Sequence, residues 1–311
     1  MSRISPKVDI AFKKIFGVEE NKDLLISLIN SIVSPEDQVL DVTLMNPYNP
    51  KNFKNDKLSI MDIKAQGLDG KRFNIEIQIS DEADYDKRAL YYWAKLYTEQ
   101  LKVAEDYSIL SKAIGIHILN FTSIPFVKKY HNVFHIKEKD SGIAYFKDLE
   151  LHTIELNKFA DNSNETLADI VAKVKNALDV WLAFLTRNDL LKKDHLPKEL
   201  DDPSLAKAID VLDVMNLNAD ERDAYEGRLK WMRIEANTLK KHGEDCRAEG
   251  KVEGIAIGEA KGKVEGIAIG EAKGKAEGRA EIARKMLEMA VDIKLIEAAT
   301  GLTKDEILTL K

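Results

Sequence analysis

The sequence predicts an α/β fold: a mixed sheet flanked by helices, followed by an all-α C-terminal half with a long glycine-spaced helix. Three observations predict it. Residues 1–160 carry short β-branched and aromatic runs separated by turn signals. Residues 165–311 are helical in pattern, and the change falls in the polar stretch Asp161-Asn162-Ser163-Asn164. Eight of the sixteen glycines, from Gly250 to Gly278, recur at a strict spacing of four. Collagen needs glycine at every third position, so that reading is excluded. The expected divisions are 1–160, a helical region 165–241, a repeat tail 242–283 and a terminal helical pair 284–311.

The elements follow in order. Pro6 to Phe16 places Val8, Phe12, Ile15 and Phe16 on one side of a helix, and Asn21 to Val33 gathers Leu24, Leu25, Leu28, Ile29 and Ile32. Val39 to Leu44 alternates as a strand does. The polar loop NPYNPKNFKND has two prolines, which exclude helix or central strand. Two β runs, LSIMDIKAQ and RFNIEIQIS, are split by Gly67-Leu68-Asp69-Gly70. A tyrosine-rich helix from Asp84 to Glu105 serves as the crossover to later strands at AIGIHILNF, NVFHIKEK and LHTIEL. The second half has helices near Leu167–Thr186, Ser204–Met215 and Ala219–Lys241, then the glycine tract. A helix over Ala280–Met289 and a pair around Ile293–Ala299 and Thr303–Leu310 complete it.

Composition removes whole classes. With 311 residues the chain can bury a substantial core. One cysteine, Cys246, excludes a disulfide framework and a cysteine-based zinc or iron–sulfur site. The longest apolar-leaning run, about Ala113 to Phe121, is far short of a membrane span. The N-terminal MSRISPKVDIAFKK has no apolar core or cleavage site, so a cytoplasmic protein without membrane attachment is expected. A net charge of −6 argues against a general nucleic-acid coat protein but leaves room for a local basic groove.

The sharpest chemical feature is Asp62 on one hairpin strand and Glu76-Ile77-Gln78 on the next. A two-residue Asp69-Gly70 turn pairs Asp62 with Ile77 and puts the carboxylates on opposite faces. A three-residue loop, Leu68-Asp69-Gly70, pairs Asp62 with Glu76 and gives Gly70 the left-handed position of a G1 bulge. In that second register Asp62, Lys64, Asn74, Glu76 and Gln78 share one face, and Ile63, Ile75, Ile77 and Ile79 line the other. Directly opposed carboxylates repel unless a cation lies between them. Hard oxygen donors of this kind suit Mg²⁺ or Mn²⁺. The bland alternative is a solvated acidic face.

The residues KVDIAFKKIFG, LSIMDIKA, NIEIQIS and KRALYYWAKLYTEQL resemble the Rpn family of recombination-promoting nucleases, also described as transposases, within the PD-(D/E)XK nuclease superfamily. The likeness covers most of residues 1–160 and implies a restriction-endonuclease-like sheet. It implies a metal-dependent DNA endonuclease linked to DNA recombination or mobile-element activity, with Mg²⁺ or Mn²⁺ as cofactor and DNA as partner. By position, Asp62 corresponds to the motif aspartate and Glu76 to the second acid, and Asp9 resembles an extra N-terminal acid near the metal. Gln78 stands where the superfamily usually has lysine, and Met61 replaces the motif proline. Lys64, on the same face, is the candidate for the missing charge. The implied mechanism has Asp62 and Glu76 holding the cation and Gln78 orienting water. Lys54, Lys57, Arg72, Arg88, Lys128 and Lys129 are the candidates to track the DNA backbone, with Lys51, Lys71, Tyr92 and Gln100 beside them. The alternative is a catalytically inactive member of the fold that binds DNA or a partner.

Other signals are weaker. His131 and His135 are four apart but lack the glutamate of a zinc-protease helix, and they fall in a β-like run. GEAKGK lacks phosphate-loop spacing. In the tail, KVEGIAIGEAKG occurs twice unchanged, at 251–262 and 263–274. Glycines at a spacing of four drift about 40° per step around a helix and form a slowly winding groove. The expectation is a long helix stabilised by self-association, coiled-coil fashion or by folding back, with a flexible linker as the alternative. Beyond it, Thr303-x-x-Glu306 after Gly301 is a capping box; the segment resembles a small helix-turn-helix end, with a plain helical cap as the preferred reading and DNA reading as the alternative.

Overall fold

The structure of the protein, a computed structural model, describes residues 4–46, 62–81, 84–160 and 164–310. At Asp62, Met232, Arg233, Glu235, Ala236, Leu239, Lys240 and Glu244 it describes the backbone alone. Two compact units emerge, 1–235 and 236–311.

In the first unit, helices α1 (Asp9–Phe16) and α2 (Lys22–Ile32) precede strands β1 (Val42–Leu44), β2 (Asp62–Gly67) and β3 (Arg72–Gln78). Helix α3 (Tyr85–Thr98) crosses over to β4 (Ala113–Leu119), followed by β5 (His131–Lys137) and β6 (Ala144–Glu155). The six strands form one mixed sheet in the order β1-β2-β3-β4-β6-β5. β3 and β4 are parallel, as are β4 and β6, while the remaining neighbours are antiparallel. The parallel step from β3 to β4 needs a crossover, and α3 supplies it.

Strand periodicity then assigns the two faces. Ile63, Phe73, Ile75, Ile114, Ile116 and Ile118 are buried in one cluster with Phe12, Phe16, Leu28 and Trp181, so the isoleucine face is the main core. On the other face α3 lays Trp93 and Leu96 over Ala113 and Leu149, and the Trp93 indole N–H donates to the Ala113 carbonyl at 2.7 Å. Tyr85 and Ala89 cover Leu119 on the same face, whereas its β2 and β3 positions are polar. That face holds the site described below.

After β6 come α4 (Leu156–Phe159), α5 (Leu167–Lys173), α6 (Ala177–Arg187) and α7 (Pro203–Asp213). The single helix expected over Leu167–Thr186 is two, because Asn176 starts a helix of its own. Its side chain accepts from the Asp179 N–H, and Asp179 returns the bond in a capping box. The signal Asn176-x-x-Asp179 is present in the sequence, inside a continuous apolar pattern. Conversely, the helices expected at Ala219–Lys241 and Ala280–Met289 are parts of one helix, α8 (Ala219–Glu288), of 70 residues. The glycines between them do not break it.

The second unit contains the repeat part of α8, then α9 (Ile293–Thr300) and α10 (Lys304–Leu308). Ala283, Ile296 and Ile307 are its buried centre. Gly301 ends α9 at φ +70, and Thr303 with Glu306 forms the capping box that starts α10. Among the described residues no helix is long and apolar enough to cross a membrane.

Candidate functional site

The hairpin turn sets the site. The Gly67 N–H donates to the Lys71 carbonyl at 2.9 Å, the Gly70 N–H to the Gly67 carbonyl at 3.0 Å, and Gly70 has φ +84. The loop is therefore three residues long, and the register pairs Asp62 with Glu76 and Lys64 with Asn74. Parallel pairing carries the row onward from Glu76 to His117, then from His117 to Thr153, and Asn132 of β5 pairs with Thr153. One register row across five strands thus reads Asp62, Glu76, His117, Thr153, Asn132. The side chain of Asp62 lies outside the described residues.

Glu76 is fully buried, with 0% exposure. Its carboxylate accepts from the Asn74 amide at 3.2 Å and from the Gln78 amide at 3.3 Å. Gln78 in turn accepts from the Arg88 guanidinium at 2.8 Å. Arg88 comes from the first turns of α3 and sits over the Tyr85 ring, 5.7 Å from its centroid. Gln78 thus relays between an arginine and the buried acid. His117, on β4 beside Glu76, places Nδ1 3.9 Å from Glu76 Oε2. Burial, reinforced by the charges of His152 and Arg88, pushes its imidazole down to about 4, so the ring is neutral at physiological pH.

The other sequence-derived candidates are distributed unevenly. Lys64 lies on the same face, with its ammonium 3.8 Å from Glu99 of the residues after α3. Asp9 opens α1, and its carboxyl is raised by burial, with Arg228 and Lys13 opposing. Arg72 lies on β3 with its pKa lowered by burial against the charge of Glu99. Lys128 and Lys129 are exposed on the loop after β4. That loop is anchored by Glu155, which accepts from the Ser123 N–H, and from the Ile124 N–H at 2.8 Å. Lys71 turns away to Asp69 and Asp37, and the Gln100 amide is held by the backbone of Ser111. Lys51, Lys54 and Lys57 lie outside the described residues.

Sequence reasoning missed His117 and Thr153. The run AIGIHIL shows a single polar residue in an apolar strand, but its place beside Glu76 depends on a parallel pairing that periodicity alone does not give. His131 and His135 lie on β5, as their β-like run predicts. They belong to a network on the opposite, α2-side face, where His131 Nε2 meets His152 Nδ1 at 2.8 Å. Glu150 engages His152 at 2.8 Å, His135 at 2.7 Å and Lys112 at 2.8 Å. Lys112 also reaches Asp37 at 2.6 Å, along a cavity of about 450 Å³. Burial works against ionisation of Glu150, yet these hydrogen bonds outweigh it and hold the carboxyl well below the usual range.

Burial, then the neighbouring His152, pushes His131 down to about 4. The unfolded chain takes up that proton first, near a pH of about 6.5. Stability is therefore expected to fall as pH drops from about 6.5 toward 4. His131→Asn should flatten this decline in urea midpoints, and an unchanged slope would rule out its contribution.

Among the described residues no group of three or more His, Cys, Asp or Glu side chains is arranged to hold a metal ion. The residues present nonetheless suit a divalent cation in part. A fully buried carboxylate stands beside a neutral imidazole whose ring nitrogens make no hydrogen bond among the described residues, and Asp62 is the register partner of that carboxylate.

A family model described as PD-(D/E)XK nuclease family transposase matches residues 6–242. A second, described as the C-terminal HTH domain of the Rpn/YhgA-like nuclease family, matches residues 276–311. The second match revises the plain-cap reading of α9 and α10. No curated protein and no solved structure matched the chain. With the mixed sheet, the hairpin register and a match over residues 6–242, the chain belongs to the PD-(D/E)XK nuclease family transposases, a group linked to DNA recombination.

Proposed function

We propose that the protein is a divalent-cation-dependent DNA endonuclease acting in recombination or mobile-element movement. The observation that carries this reading is the register pairing of Asp62 with fully buried Glu76 on the polar face of the sheet. Asp62 and Glu76 hold the cation, Mg²⁺ or Mn²⁺, with Asp9 as a further acid. The chemistry such a cation supplies when bound is a lowered pKa for water and neutralisation of charge building on the phosphate. Gln78, oriented by Arg88, positions the attacking water. Lys64 supplies positive charge on the same face. Arg72, Arg88, Lys128 and Lys129, with Lys54 and Lys57, contact phosphates and set the duplex in register.

The test is plasmid nicking with Mg²⁺ or Mn²⁺ by the wild type, Asp62→Ala and Glu76→Ala. Wild-type cleavage lost in both variants is the expected result, and equal activity in all three would defeat the enzyme reading.

A second reading is favoured by the helix-turn-helix match. Residues 276–311 contact DNA and the sheet domain binds without cutting, as glutamine in place of lysine at position 78 would suit. DNA binding that survives Glu76→Ala, with no wild-type nicking under any divalent cation, would select it. In either reading the repeat tail associates with a second copy of the chain, and the cytoplasm is the expected compartment.

A further inference from the structure

His117 is costly where it is. It is 2% exposed, and neither ring nitrogen makes a hydrogen bond among the described residues; nor does the Oγ1 of Thr153 beside it. A buried polar group left unpaired forgoes the water it had in the unfolded chain without replacement and destabilises the fold. The other positions of β4 on this face hold Ala113, Gly115 and Leu119, so packing alone is served there by apolar residues. A buried polar group without partners calls for an explanation outside packing.

The surroundings fix the ring rather than merely enclose it. Tyr85 meets it edge-on, with an interplanar angle of 84° and centroids 5.8 Å apart. On the other side, a Cβ added at Gly115 would lie 3.0 Å from His117 Nε2 and 2.7 Å from Leu151 Cδ2. Glycine at 115 therefore leaves the room the ring occupies. The result is Nε2 over Gly115 and Nδ1 3.9 Å from Glu76 Oε2. Two donors each about 2.1 Å from one ion are separated by at most about 4.2 Å. The observed separation is too long for a hydrogen bond and short enough to share a cation.

We propose that His117 is a nitrogen ligand in a cation site with Glu76 and Asp62, and that it biases this site toward Mn²⁺ over Mg²⁺. The proposal rests on the reading that the two acids hold a divalent cation, and it deepens that reading by naming a third donor. Mg²⁺ prefers an all-oxygen octahedral shell and gives up water reluctantly, whereas an imidazole nitrogen suits later first-row ions better. Two further residues on the same face of β3 support this site. The Asn74 amide and the Gln78 amide both donate to Glu76 and so orient its carboxylate.

The experiment uses the full-length protein and Mn²⁺ as probe. Binding is followed by the loss of the free-ion electron paramagnetic resonance signal, with Mg²⁺ as competitor. The bound ion is then examined for pulsed ¹⁴N coupling from an imidazole. The wild type should bind Mn²⁺ at least about tenfold more tightly than Mg²⁺ and show nitrogen coupling. His117→Gln and His117→Asn, checked for folding by circular dichroism, should lose that coupling. They should weaken Mn²⁺ about tenfold and leave Mg²⁺ within about twofold. Bound Mn²⁺ without nitrogen coupling in the wild type, or coupling retained in a folded His117 variant, overturns the proposal and leaves the two-acid site standing. Absence of Mn²⁺ binding by the wild type, or binding indifferent to both Asp62→Asn and Glu76→Gln, overturns both.

Discussion

Glu76→Gln is expected to abolish DNA cleavage while raising the thermal stability of the cation-free protein. The two effects have one cause. Glu76 is fully buried and is the register partner of Asp62, so two acidic residues are paired across antiparallel strands. Such like-charge pairs are destabilising by roughly 0.2–1 kcal/mol, and burial raises the cost of the charge. Glutamine keeps the shape, and its oxygen still accepts from the Asn74 amide, while the oxygen that accepts from the Gln78 amide is replaced by nitrogen. Its second terminus becomes a donor facing the Gln78 amide, which must turn over, so the stability gain should stay below about 1 kcal/mol. Cleavage should fall about a thousandfold or more, the loss of about 4 kcal/mol of transition-state charge stabilisation. Divalent cation separates the two proteins further. At a concentration of about a hundred times Kd it should stabilise the wild type by about 2.7 kcal/mol and leave the variant nearly unmoved. Nicking assays and melting curves with and without Mn²⁺ read all three. A folded Glu76→Gln protein that cuts as well as wild type, or responds equally to the cation, would contradict the assigned role.

How far the sequence reaches is clear from particular residues. The hairpin was legible as two registers, because a two-residue Asp69-Gly70 turn and a three-residue loop ending in Gly70 both seat glycine at positive φ, and the structure takes the second, with Asp62 opposite Glu76. The isoleucine face was equally legible, since Ile63, Ile75 and Ile77 alternate with polar residues through both strands. The rest of the site depends on distant pairing. His117 is 41 positions from Glu76 in the chain, and no periodicity within AIGIHIL says which strand lies beside it. The partners of Gln78 and Lys64 were hidden for a similar reason. Arg88 and Glu99 come from α3 and the residue that follows it, and their reach toward the sheet depends on where that helix crosses. Helix boundaries failed in both directions. A capping box at Asn176 splits one continuous apolar pattern into two helices, and the long helix expected through the eight glycines is present but runs on into the helices expected on either side of it.

Replacing those eight tail glycines by alanine should increase the helix content of the protein and dissociate it into monomers. Among the described residues nothing lies within 4 Å of a Cβ built at any of the eight positions from Gly250 to Gly278, so alanine meets no obstacle there. Each exposed glycine costs a helix about 1 kcal/mol relative to alanine. Eight of them cost on the order of 8 kcal/mol, a large penalty for a segment that buries nothing in the described chain. Ile255, Ile257, Ile267 and Ile269 are 52%, 50%, 55% and 68% exposed along the same stretch. Glycines that let a second helix come close, flanked by isoleucines for it to cover, account for both expenses at once. The row follows the every-fourth-residue ridge, and two such ridges interdigitate at a crossing near −50°. The glycine row also winds about 40° per step, so a contact of this kind is local, spanning a few successive glycines. The twelve-residue repeat then offers the same contact twice. Methyl groups at the eight positions hold the second helix away while strengthening each helix alone. Circular dichroism and sedimentation read the opposing effects. An oligomer that survives the substitutions, or a wild type that sediments as a monomer, would assign the glycines to something other than close approach between copies.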